Sequence, residues 1–255
     1  MKPEFTFILP CLNEEKTIEF CINEIKTYIK NNNLNAEILV ADNNSQDKSR
    51  EIAQKNGARV VVETKKGYGS TLRNGTYHAK GKYCIMGDSD GSYDFYNLEQ
   101  YIDALRNEYD LVVGNRFKGG IARKAMPFSH KIGVRLLSSF ANLFFRTPIK
   151  DYHCGLRAYN REAILNLKLS QDGMEYASEM IIVAQLSKLK LCEVATILRK
   201  DLRNKKSHLR TIRDGIRHLK LILQIAIHKN KYSTTRRFIW FVNKLTKRSL
   251  FNKFC

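Results

Sequence analysis

No window of about 18 uncharged apolar residues occurs anywhere in this chain, so a membrane-spanning helix is not expected. The N-terminus also lacks the pattern of a secretory leader: its first apolar run, from Phe5, reads as a strand, and no signal peptide is expected. Six cysteines (Cys11, Cys21, Cys84, Cys154, Cys192 and Cys255) are scattered without a CxxC pair. A disulfide framework or structural zinc is therefore not expected, and a reducing cytoplasmic setting is. His153 and Cys154 lie side by side, but no second pair accompanies them to complete a zinc site. Acid is scarce in one region. Residues 199–255 carry 17 Lys/Arg against two acids, Asp201 and Asp214, so +15 of the formal net charge of +19 sits there. That concentration points to an anionic surface as partner, membrane headgroups or nucleic acid.

What is present is a globular chain, with 43% hydrophobic and 27% charged residues. A short apolar run at 5–10 ends at Pro10, as a strand does where a loop begins. Asn13 is placed to cap a helix whose apolar face is Ile18, Cys21, Ile22, Ile25 and Ile29. A second strand at 37–41 ends in Asp42, and a helix over about 46–56 is stopped by Gly57. A third strand at 59–63, a basic loop at 64–69 and a helix over about 68–79 lead to a strand at 83–86. This alternation predicts an α/β fold: βαβ units around a mainly parallel sheet with helices on both faces.

The strand at 83–86 delivers Asp88 and Asp90. Carboxylates at i and i+2 of an extended chain point the same way and can reach one hard cation, Mg²⁺ or Mn²⁺. In an open α/β sheet such a pair lies where ligands bind, beyond the carboxyl ends of the strands. The parallel topology brings the loops at 10–14, 42–44, 66–69 and 88–90 to that same edge. They offer a carboxylate for a base or ribose (Asp42), a lysine for phosphate (Lys66) and the metal pair.

The segments "ILPCLNEE", "EILVADNNSQDKS", "KKGYGSTLRNG", "GKYCIMGDSDGSYDF", "DLVVGNRF" and "DYHCGLRAYNREAI" together resemble inverting family 2 glycosyltransferases with the GT-A fold. Within it, the nearest resemblance is to the polyprenyl- or dolichyl-phosphate sugar synthases, over about residues 3–228. The resemblance implies that Asp42, with Pro10 and Glu14 beside it, contacts the base of a UDP- or GDP-hexose. Lys66 closes over base and phosphates, and Asp88 and Asp90 hold the metal. Where family members often carry a third polar ligand, this chain has Ser92. Arg116 is expected on the acceptor phosphate, for which a guanidinium fork is suited. His130 or Lys131 could join it, and Arg157 is a weaker candidate. Asp151 opens the stretch lining the acceptor side, and Glu175 and Glu179 are expected to bind sugar hydroxyls. A polyprenyl (undecaprenyl) phosphate is already anionic and needs no base, whereas a saccharide or protein hydroxyl needs one. In that case Asp151, Glu175 and Glu179 are the candidates.

Residues 1–205 are thus expected to form the catalytic domain and 206–255 a basic amphipathic tail. The stripe Ile212, Ile216, Leu219, Ile222, Leu223, Ala226 and Ile227 is helical in period, with Arg210, Arg213, Arg217 and Lys220 opposite. A second segment from Arg236 mixes aromatics and cations. Such helices lie in a membrane interface. The expected location is the cytoplasmic membrane face, with no nucleic-acid partner because the charge lies outside the domain of carboxylate-bearing loops and no recognised nucleic-acid module appears. A homo-oligomer is a candidate assembly.

Overall fold

A computed structural model describes residues 2–203 and 211–228. The elements run β1 (Phe5–Cys11), α1 (Ile18–Asn31), β2 (Ala36–Asp42), α2 (Ser49–Lys55), β3 (Arg59–Val62), α3 (Tyr68–His78), β4 (Tyr83–Met86) and α4 (Glu99–Arg106). There follow β5 (Leu111–Asn115), α5 (Arg116–Gly119), α6 (Phe128–Phe145), β6 (Arg157–Asn160), α7 (Arg161–Leu165), α8 (Tyr176–Leu186), β7 (Leu191–Ala195) and α9 (Thr211–Ile227). The sheet order is β3-β2-β1-β4-β6-β5-β7. All neighbours are parallel except β6, which runs antiparallel between β4 and β5. The expected α/β fold and mainly parallel sheet are what the chain forms.

The central strands are buried along their whole length: every residue of β1 and β4 is inaccessible or nearly so. Parallel strands covered on both faces read as continuous apolar runs, and these do. The register sets the site. Cys11 pairs with Asp42 and Ile8 with Met86, so β1, β2 and β4 all release their chains at one edge.

The first helix begins later than expected. Ile18 is its first residue and Thr17 its N-cap position, while Asn13 adopts a left-handed φ of 56° and its side-chain oxygen accepts the Gln46 N–H at 2.8 Å. Asn tolerates that conformation through local hydrogen bonding, and here it ties the β1 loop to the β2 loop instead of capping a helix. Gly57, at φ 76°, does end α2 as expected. Strands β6 and β7 are short, and the chain's period gives them little signature.

Helix α9 buries Leu221, Ile222 and Ile225 and packs on α6 and α8. Ile216, Leu219, Leu223 and Ile227 stay exposed on it. The aromatic and cationic segment beginning at Arg236 lies outside the described residues. Among the described residues no helix is long and apolar enough to cross a membrane.

Candidate active site

The four loops predicted to converge do so through direct bonds. The Ser89 hydroxyl donates to the Pro10 carbonyl at 2.6 Å. The Asn43 amide donates to the carbonyls of Glu63 and Lys65 and its oxygen accepts the Gly67 N–H. The Tyr68 hydroxyl donates to Asp88 Oδ1 at 2.9 Å. Asp42 is fully buried; its Oδ2 accepts the Ser45 N–H and faces Arg50, while Oδ1 has no partner. A buried acceptor without a donor is costly. Lys66 is exposed at the loop surface. Its neighbour Lys65 and Arg73 instead clamp Asp172, which ties the loop to the chain before α8.

Asp88 and Asp90 stand together as the spacing predicted. Burial, then the like charge of Asp90, pushes the Asp88 carboxyl up to about 6. Gly155 makes this crowding possible: a Cβ there would lie 2.5 Å from Asp88 Oδ2. One cation already answers these carboxylates, and sequence reasoning missed it. Arg203 gives Nη2 to Asp90 Oδ2 at 2.6 Å and Nη1 to Glu14 Oε1 at 3.1 Å. Glu14, raised to about 7 chiefly by burial, is thereby turned toward Asp90. Ser92 contributes its backbone N–H to Asp90 Oδ1. Among the described residues no cluster of three or more His, Cys, Asp or Glu could hold a metal by itself. Two neighbouring carboxylates still fit a divalent ion whose other ligands come from substrate.

That crowding gives a pH-dependent expectation for the metal-free protein. Because the folded pKa of Asp88 lies above its unfolded value, its fold-stabilising protonated form is present at low pH and lost as pH rises through about 6. Asp88→Asn should therefore raise Tm at pH 8, by up to about 3 kcal/mol of stability, and leave it nearly unchanged near pH 4. A Tm difference independent of pH, read by calorimetry in chelator, would remove the like-charge account.

On the acceptor side the structure redistributes the expected roles. Arg116 is 7% exposed and Asp151 fully buried. Nε and Nη2 of Arg116 donate to Asp151 Oδ2 and Oδ1, each at 2.8 Å, and its backbone N–H also reaches Oδ2. Asp151 is thus the orienting partner of Arg116, and both its oxygens are occupied, so it is no free base. Arg157 donates to the carbonyls of Cys154, Ala177 and Tyr152, bracing the loop, and it lines the same cavity as Arg116. Glu179 accepts the N–H groups of Ser170 and Gln171 and the Ser170 hydroxyl. It fixes that loop and is likewise no free base or sugar ligand. Glu175, one turn earlier, takes Arg217 on Oε1 at 2.7 Å and leaves Oε2 buried and unpartnered.

A cavity of about 180 Å³ is lined by both Asp88 and Arg116. Asp88, Arg116, Tyr68 and Tyr93 are among its polar lining residues, and Met126, Val134, Leu137, Met174 and Ala177 among its apolar ones. His130 lines it too, whereas Lys131, half-buried, is not among the lining residues. His153 and His218 also face it. His153 belongs to the stretch that the resemblance placed on the acceptor side, but nothing in the sequence paired it with His218.

The comparisons follow this geometry. The family model described as glycosyl transferase family 2 matches residues 6–167. The low-salt glycan biosynthesis hexosyltransferase Agl6 of Haloferax volcanii is 34% identical over 87% of this chain, which spans 53% of that relative's length. A dolichyl-phosphate hexose transferase of the same organism is 26% identical over 75% of this chain and 83% of its own. Among solved structures, glucosyl-3-phosphoglycerate synthase from Mycobacterium tuberculosis, in complex with Mn²⁺, UDP-glucose and phosphoglyceric acid, superposes with a TM-score of 0.68. That match is 19% identical and covers 88% of this chain and 80% of the other. With the GT-A-like sheet and the carboxylate edge already in place, the chain belongs to glycosyl transferase family 2 and is a glycosyltransferase.

Proposed function

We propose that this glycosyltransferase moves a hexose from a UDP- or GDP-sugar, with inversion, onto a polyprenyl phosphate at the cytoplasmic face of a membrane. The observation that carries the reading is the cavity. Its lining combines Asp88, Arg116, Arg157, His130, His153 and His218 with the apolar side chains of Met126, Val134, Leu137, Met174 and Ala177, which suits an amphiphile with an anionic head. The relative named for dolichyl phosphate agrees in acceptor class. The base candidates agree as well: both oxygens of Asp151 and Glu179 are bonded internally, and Glu175 is not among the residues lining the cavity. A phosphate acceptor needs no base. It needs its oxygen held behind the anomeric carbon, and Arg116, stiffened by Asp151, is the group for that.

On the donor side, Asp42 Oδ1 is the free acceptor for a base N–H. Pro10 and Glu14 frame the same loop, and Lys66 projects from the loop opposite. Asp88 and Asp90 would hold Mg²⁺ or Mn²⁺. Bound there, the ion would offset charge building on the departing nucleoside diphosphate. The basic content of α9 and the residues beyond it adds attraction to an anionic leaflet, about 1 kcal/mol per cation near the surface.

The test is a transfer assay with a panel of UDP- and GDP-hexoses, Mg²⁺ or Mn²⁺, and undecaprenyl phosphate in detergent. Lipid-linked product that disappears on chelation is expected. Metal-dependent donor hydrolysis without lipid product would move the acceptor to a saccharide or protein hydroxyl. Glu175, with its unpartnered oxygen, would then be the base to examine.

A further inference from the structure

Two glycines in the cavity wall lack any internal reason to be glycine. Gly133 lies within α6 and Gly215 within α9, and both line the cavity. Neither has a positive φ, and a Cβ built on either meets no atom within 4 Å. Glycine inside a helix is destabilising relative to alanine, because more backbone freedom is lost on folding. Gly155, by contrast, is required by its contact with Asp88. At Gly133 and Gly215 the protein gives up helix stability and fills the space with nothing of its own.

A second observation in the same cavity points to a ligand. Both ring nitrogens of His153 are buried and have no hydrogen-bond partner, although an imidazole always carries at least one donor. Its ring rests edge-on against His218 at 4.4 Å between centroids, and Ser178 Oγ holds His218 Nδ1 at 2.8 Å. Outside the cavity, the two helices carry exposed apolar residues: Phe128, Ile132 and Leu136 on α6, Ile216, Leu219 and Leu223 on α9.

We infer that the gap between α6 and α9 is a slot for the hydrocarbon chain of the acceptor, held open by Gly133 and Gly215. The acceptor phosphate lies toward Arg116 and His153, and the chain emerges onto the apolar outer faces of the two helices. This inference rests on the lipid-phosphate reading and adds the route of the chain and the residues that select for it.

The experiment compares wild type, Gly133→Leu and Gly215→Leu in transfer to undecaprenyl phosphate, with Tm and UDP binding measured alongside. Each leucine is expected to raise the acceptor KM about tenfold or more, leaving UDP affinity unchanged, while Tm holds or rises because helix propensity improves. A purely structural role would lower Tm instead. As a second readout, Gly133→Cys is alkylated with N-ethylmaleimide and followed by the mass of its peptide; undecaprenyl phosphate should slow the reaction. Wild-type KM in both leucine variants, or alkylation unaffected by undecaprenyl phosphate, overturns the slot while leaving the lipid acceptor intact. A wild-type enzyme that transfers to no isoprenyl phosphate overturns the acceptor reading and the slot with it.

Discussion

Replacing Asp90 by asparagine is expected to lower kcat/KM for transfer by about three orders of magnitude while the protein remains folded. Asp90 is 7% exposed and uses both oxygens: Oδ1 accepts the Ser92 N–H at 3.0 Å, and Oδ2 takes Arg203 at 2.6 Å. Asparagine keeps the first bond through its carbonyl but removes the charge that the cation needs. Arg203 retains Glu14, so the loss of stability should stay near 1 kcal/mol, as for a partly exposed pair that keeps a second partner. The effect thus separates by readout. Tm moves little, the metal-dependent part of UDP binding disappears in titration calorimetry, and product formation falls to background. Full residual transfer in Asp90→Asn would sink the assignment of Asp88 and Asp90 as metal ligands. Glu14→Gln offers the contrast: it loosens Arg203 without altering either proposed metal ligand, so the metal dependence of UDP binding should survive in it.

The carboxylate edge was legible in the sequence because everything it needs is local. The apolar runs at Phe5 and Tyr83 are short and continuous, as buried parallel strands must be, and each stops at its functional loop. Asp42 ends its strand, and Asp88 and Asp90 come within four residues of the end of theirs, so chain order alone put them at one edge. What was not legible depends on pairs distant in sequence. Arg203 reaches Asp90 across 113 positions, and His153 meets His218 only because α9 folds back over α6 and α8. The antiparallel β6 is four residues long, too short for a period, and its position between β4 and β5 depends on contacts that no window contains. Glu175 and Glu179 illustrate the limit from the other side. Their spacing suggests a shared task, yet Glu175 bonds Arg217 on α9 and Glu179 bonds the loop at 170–171. Helical spacing gives adjacency, and only the neighbours give the role.

Asp151→Ala should produce the other large change, a loss of about 3–5 kcal/mol of stability, as when one partner of a buried ion pair is removed. Asp151 is wholly buried, and Arg116 gives it two side-chain bonds and its backbone N–H. Without the carboxylate the guanidinium is left buried and uncompensated. Stability and function are then lost together, so the single variant cannot say whether Arg116 has a task beyond packing. The double variant Arg116→Met/Asp151→Leu can. It removes both charges at similar volume, and such replacements are often neutral or stabilising, so its Tm should recover most of the way toward wild type. Its transfer to undecaprenyl phosphate should remain as poor as in the single variant, because the group proposed to hold the acceptor oxygen is gone. The coupling energy from the completed cycle is expected to reach several kcal/mol in Tm-derived stability and to leave no compensation in acceptor KM. Recovery of both stability and transfer in the double variant would reduce the Arg116–Asp151 pair to architecture and leave the acceptor phosphate to His130, His153 and Arg157, which line the same cavity.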